Sequence, residues 1–107
     1  MLQAASGDKP VNVAHILGVA YAPAATLRNH TDLMDGRPLF SLSVALGEAC
    51  DFSVGGATVR PHPKERSGRP TTVRMESGDA IFFDGGSVPH AVDRIHAGSG
   101  PDWWHAL

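Results

Sequence analysis

Three side chains in this sequence have the types and spacing to hold one metal ion: His30 and Asp32, on either side of Thr31, and His90 much further along. Side chains of an extended chain leave on alternate faces, so residues two apart share a face and stand a few ångströms from each other. A helix would separate them. Two histidines and one carboxylate occupy one face of an Fe(II) ion and leave about three coordination positions open. The same donors also suit Zn(II). An isolated H-x-D pair recurs by chance, so the elements around it must decide.

The remaining chemistry-bearing residues read otherwise. His15 alternates inside an apolar run and is expected as a core or pocket histidine, while His62, His96 and His105 fall in loops or near the terminus and receive no ligand role. Cys50, in the run Glu48-Ala49-Cys50-Asp51-Phe52, reads as a small strand residue rather than a nucleophile.

The elements that must position the three residues are strands. Twelve glycines and eight prolines punctuate short runs rich in Val, Ile, Leu and Phe, the pattern of an all-β chain. Strands are expected over residues 11–20, 39–46, Ala49–Val54, 57–60, Thr71–Met75, 80–83 and 91–95, with short edges around 26–32. In the run Leu39-Phe40-Ser41-Leu42-Ser43-Val44 the large residues Phe40, Leu42 and Val44 alternate with serines, so the even-numbered face is expected in the core. Asn29 to Asp32 follows the β-compatible Thr26-Leu27 and precedes a turn at Asp35-Gly36, and Pro89-His90 follows an apolar strand and the turn Asp84-Gly85-Gly86. Both halves of the triad are thus delivered at strand ends. The segment between Pro61 and Pro70 reads as an exposed loop carrying much of the local positive charge. Seven or so such strands suit a sandwich or jelly roll with a pocket at one mouth.

Composition narrows the function classes. A chain of 107 residues makes one domain, read as residues 11–107 behind an N-terminal extension of residues 1–10. Nine Lys and Arg against eleven Asp and Glu give no general electrostatic attraction to a phosphate backbone. One cysteine cannot form an internal disulfide, and the N-terminus lacks a basic segment followed by a long apolar one, so the expected location is the cytoplasm or another reducing soluble compartment. No run approaches the roughly 20 apolar residues of a membrane helix, and no membrane partner is expected.

Three ordered blocks resemble the AlkB-like family. Tyr21-Ala22-Pro23-Ala24-Ala25-Thr26-Leu27-Arg28-Asn29-His30-Thr31-Asp32 is similar to its tyrosine, proline turn, leucine and H-x-D strand. Pro38-Leu39-Phe40-Ser41-Leu42-Ser43-Val44-Ala45-Leu46-Gly47, followed by Phe52 and Gly55-Gly56, resembles its central S-x-S block. Ser77-Gly78-Asp79-Ala80-Ile81-Phe82-Phe83, then Gly85-Gly86 and His90, resembles its distal-histidine block. Together they cover about residues 21–95, which is far more specific than one motif.

The resemblance implies a double-stranded β-helix, incomplete at its C-terminal end, with His30, Asp32 and His90 binding Fe(II), 2-oxoglutarate filling two open positions and dioxygen the last. It implies oxidative decarboxylation of 2-oxoglutarate to succinate and CO₂, coupled to hydroxylation of a C–H bond. On an N-methyl group, in an alkylated nucleic acid or protein, the product would release formaldehyde. Tyr21 matches the family tyrosine that hydrogen-bonds the co-substrate, although an ordinary core tyrosine fits the position as well. Departures bear on the co-substrate. The family's N-x-T-F-R-like ending, whose arginine anchors 2-oxoglutarate, does not occur before Leu107, and Arg94 is the nearby cation assigned to that carboxylate. The family's N-terminal nucleotide-recognition segment has no counterpart before Val11, and the tandem Trp103-Trp104 is expected to be buried in packing rather than to stack on a base. The rival reading is a metal-binding jelly roll or cupin-like protein without oxygenase activity, and a third is a purely structural or interaction module.

Overall fold

The computed structural model describes residues 13, 15–32, 40–56 and 69–107. The chain is all-β with antiparallel pairing. Among the described residues, six strands, β1 (Leu27–His30), β2 (Phe40–Val44), β3 (Ala49–Val54), β4 (Thr71–Met75), β5 (Ala80–Asp84) and β6 (His90–His96), are followed by a short helix, α1 (Asp102–His105). They make a four-stranded sheet in the order β1-β6-β3-β4 and a two-stranded sheet of β2 and β5. The chain crosses between the sheets at every connection except the β3–β4 hairpin. The sheets face each other through aromatic rings: Phe83 of β5 meets Phe52 of β3 at a centroid distance of 5.7 Å and His90 of β6 at 4.7 Å.

Among the described residues the core is small. Ala49, Phe52, Met75, Ala91 and Val92 are buried, and Tyr21, Ala45, Cys50, Val54, Ile81, Phe83 and Ile95 pack around Phe52, Met75 and Val92. Cys50 lies in β3, as its surroundings suggest. The turns follow the glycine signals. Gly78 has a φ of +92° in the Ser77-Gly78-Asp79 turn, where Asp79 Oδ2 accepts from the Glu76 amide at 2.8 Å. Asp84 organises the next turn, accepting from the Val88 amide through its carbonyl at 2.8 Å and from the Gly86 amide through its carboxylate at 3.1 Å.

Several expectations are corrected. In β2 the serines face inward and the large residues outward: Phe40, Leu42 and Val44 are 64%, 49% and 51% exposed, and Phe82 joins them on the same face. Period-2 alternation defines two faces but not which one the other sheet covers. Here Ser41, paired with Phe83, lies on the side of the functional residues. Residues 13 and 15–20 join no strand, and His15, Ile16 and Leu17 are exposed. An apolar run becomes a strand only where a neighbour takes its backbone groups, and neither sheet pairs with it. Trp103 and Trp104 are 55% and 38% exposed rather than buried; Trp104 instead lies across Gly47 and Gly100. The expected strand over 57–60 and the loop carrying His62 lie outside the described residues.

Candidate metal centre

β1 and β6 are antiparallel neighbours whose register places His30 directly opposite His90. Opposed residues of an antiparallel pair have Cβ atoms about 5 Å apart, so the two rings must meet; their centroids are 4.3 Å apart. Asp32 lies two residues past the end of β1, where its amide donates to the Gly85 carbonyl at 2.7 Å. That bond ties the end of β1 to the turn after β5 and brings the carboxylate between the imidazoles. Asp32 Oδ2 is 3.2 Å from His90 Nε2, and Oδ1 is 3.5 Å from His30 Nε2.

The backbone sets which nitrogen each ring presents. His30 Nδ1 is 2.7 Å from the Arg28 carbonyl and His90 Nδ1 is 2.9 Å from the Val88 carbonyl. A carbonyl only accepts, so each Nδ1 donates to it, and Nε2 is the ring nitrogen that faces Asp32 and would serve as the metal-binding atom. Each carbonyl belongs to the residue two before its histidine, a relationship invisible in the sequence. His90 is 5% exposed and rests against Phe83 edge-on and Phe52 at 6.1 Å, whereas the side chains of His30 and Asp32 are about one third exposed. The open side of the cluster is therefore the side of His30 and Asp32.

One donor atom from each of the three residues lies within 4.8 Å of the others. Ligands about 2.1 Å from an ion are roughly 3.0 Å apart at neighbouring octahedral positions and roughly 3.4 Å apart in a tetrahedron. Separations of 3.2 and 3.5 Å fit a divalent ion with little movement.

The fold is similar to that of OsALKBH1, an AlkB homologue. The TM-score is 0.57 at 22% identity, with 80% of this chain and 39% of that chain covered. No protein-family model and no curated protein sequence matches the chain. The likeness is therefore one of fold, and this chain spans well under half of the longer protein.

Tyr21 packs against the Phe52–Met75–Val92 cluster, where burial, and then the neighbouring Cys50, push its hydroxyl above its usual range. Arg94 is paired in register with Asp51, on the opposite face of the sheet from Phe52 and His90. It is exposed there and does not line the cluster. The same outer face carries polar pairs: His96 Nε2 with Asp51 Oδ1 at 2.7 Å, Ser53 with Thr72 at 2.9 Å, and Ser53 with Asp93. His105 of α1 meets Glu48 at 3.1 Å.

Sequence reasoning missed Ser41 and Gly85. Ser41 Oγ donates to Asp32 Oδ2 at 3.4 Å, and the Gly85 α-carbon lies against both residues. The available signal was the inverted pattern of β2, in which serines and not Phe40, Leu42 and Val44 needed the inner face. No helix among the described residues is long and apolar enough to cross a membrane.

Proposed function

We propose that this chain carries the metal-binding part of an AlkB-like Fe(II)- and 2-oxoglutarate-dependent dioxygenase, built as a single jelly-roll domain over residues 11–107. The observation that carries the reading is the convergence of His30 Nε2, His90 Nε2 and the Asp32 carboxylate at the paired ends of β1 and β6. The fold likeness to an AlkB homologue supports the same class. His30, Asp32 and His90 would hold Fe(II). Bound there, the ion would bring 2-oxoglutarate and dioxygen together for hydroxylation of a C–H bond.

The protein's own work is positional. The Arg28 and Val88 carbonyls keep Nδ1 protonated and Nε2 free to ligate. Phe83 and Phe52 shield His90 from water on the closed side, while the half-exposed side of His30 and Asp32 admits co-substrate and substrate. Tyr21 is assigned as a hydrogen-bond partner of 2-oxoglutarate; Arg94, on the outer face of the interior strand β6, does not reach the distal carboxylate from this position, and that expected role is corrected. The substrate class is an N-alkylated group of a nucleic acid or protein.

A second reading, a metal-binding jelly roll or cupin-like protein without oxygenase activity, is favoured by that outward position of Arg94. Anaerobic addition of Fe(II) and then 2-oxoglutarate separates the two. The oxygenase reading expects a weak visible absorption band when 2-oxoglutarate joins the bound iron, and succinate once air is admitted. Iron binding with neither signal would establish the second reading.

A further inference from the structure

We infer that Ser41, with Gly85 behind it, positions the Asp32 carboxylate for metal binding. The inference rests on the metal-site reading above and assigns it a support that the three ligands do not supply. Asp32 lies beyond the last residue of β1, so strand pairing does not fix its side chain. Three contacts do. Its amide donates to Gly85 O at 2.7 Å, which places the Cα; Ser41 Oγ donates to Oδ2 at 3.4 Å; and Oδ2 is also the oxygen 3.2 Å from His90 Nε2. Oδ1 is thereby left for His30, at 3.5 Å. The hydroxyl bonds the same oxygen that faces His90, so it favours the rotation in which each carboxylate oxygen faces a different imidazole.

Gly85 is required for space rather than for backbone conformation. It is absent from the glycines with positive φ. A β-carbon built on it would stand 2.4 Å from Ser41 Oγ, 2.6 Å from Asp32 Oδ2 and 3.2 Å from Ser41 Cβ. Any other residue would push the serine and the carboxylate apart. Ser41 sits opposite Phe83 in the β2–β5 pair, and Phe83 meets the edge of His90. The inner face of this two-stranded sheet thus backs two of the ligands at once, Phe83 behind His90 and Ser41 behind Asp32. This gives a reason for the inverted pattern of β2: a large apolar side chain at position 41 would fill the place of the donor.

Groups that hydrogen-bond a metal ligand typically change metal affinity by about 10- to 100-fold when removed. The test is calorimetric titration of Mn(II) and Co(II) into the wild-type chain, Ser41→Ala, Ser41→Thr and Gly85→Ala, with the visible spectrum of the Co(II) form and the melting temperature of each metal-free protein. The expected result is an affinity loss of about tenfold and an altered Co(II) spectrum in Ser41→Ala, with an unchanged metal-free melting temperature. Ser41→Thr, which keeps the hydroxyl, should recover most of the affinity. Gly85→Ala should lose more than Ser41→Ala; the serine variants carry the test if Gly85→Ala does not fold. Wild-type affinity and spectrum in Ser41→Ala would overturn the inference and leave the metal site standing. A wild-type chain that binds neither ion, or a His90→Ala variant that binds them as well as wild type, would overturn both.

Discussion

His90 Nε2 stands 3.2 Å from Asp32 Oδ2, although Asp32 follows the first strand and His90 opens the last. Such an approach links folding to metal binding, because an ion held between residues far apart in sequence binds the folded chain and not the unfolded one. At a free ion concentration 100 times the dissociation constant, the folded state gains about 2.7 kcal/mol. For a chain of this size each kcal/mol moves the melting temperature by roughly 4–8 °C. Scanning calorimetry with and without Mn(II) should show a rise of at least about 10 °C by that arithmetic, abolished in His30→Ala, Asp32→Ala and His90→Ala. A rise that survives in all three variants would place the ion elsewhere.

Cys50 and Tyr21 give the fold a defined alkaline limit. Burial, and then the neighbouring Asp51, push the Cys50 thiol above its ordinary value of 9.0; burial, and then Cys50, push the Tyr21 hydroxyl above 10.0. The charged form of each is therefore disfavoured in the folded state relative to the unfolded one. Below pH 9 both groups are neutral in both states and the stability is fully present. As pH rises through the raised folded value of the thiol, and then of the hydroxyl, that stability is lost. The melting temperature should stay level between pH 7 and about 9 with respect to these groups and fall above it. Cys50→Ala should delay the start of the fall, and an identical profile in that variant would remove Cys50 from the account.

Strands β3, β4 and β5 and the His30–Asp32 pair were legible in the sequence because each depends on local pattern: Gly and Asp turn residues bound the strands, and a residue pair two apart shares a face wherever the chain is extended. His90 came instead from the order of the blocks that resemble a known family. What was not legible depends on partners. Phe40, Leu42 and Val44 alternate in the way a buried face does, yet the site claims the serine side of β2, and only the register with β5 reveals it. The run over 11–20 has the apolar, β-branched composition of a strand, but composition supplies no neighbour to receive its backbone hydrogen bonds. Arg94 is four residues from His90, an even spacing that would keep it on the ligand face of a regular strand. The register shift between Asp51 and Phe52 in the β3–β6 ladder breaks that alternation and turns Arg94 to the outer face.

The outward apolar face of β2 and β5 makes a prediction about solubility rather than stability. Phe40 and Phe82 stack there with ring centroids 5.9 Å apart, beside Leu42, which is opposite Phe82 in register. Because these side chains are about half exposed or more, apart from Phe82 at 44%, Leu42→Lys removes little burial. Its cost is the cross-strand contact with Phe82, below about 1 kcal/mol. A dye that binds exposed apolar surface should fluoresce less with Leu42→Lys than with wild type, while the midpoint of urea unfolding moves only slightly. A large loss of stability would mean that this face is buried in solution.

Gly47 couples the end of the chain to the β2–β3 connection. Its φ is +91°, a conformation that costs an L side chain about 1–2 kcal/mol. A β-carbon there would come within 2.4 Å of the Trp104 ring. Gly47→Ala should therefore destabilise the chain by about 2 kcal/mol or somewhat more, the backbone term plus displacement of the indole. It should also shift tryptophan emission to longer wavelength as Trp104 moves into water. Trp104→Ala removes the steric part alone, so in the Gly47→Ala background it should cost less than in the wild-type background, and a double-mutant cycle measures the difference. Additive effects in that cycle would show that the ring does not rest on Gly47 in solution, leaving the positive φ as the whole of the cost.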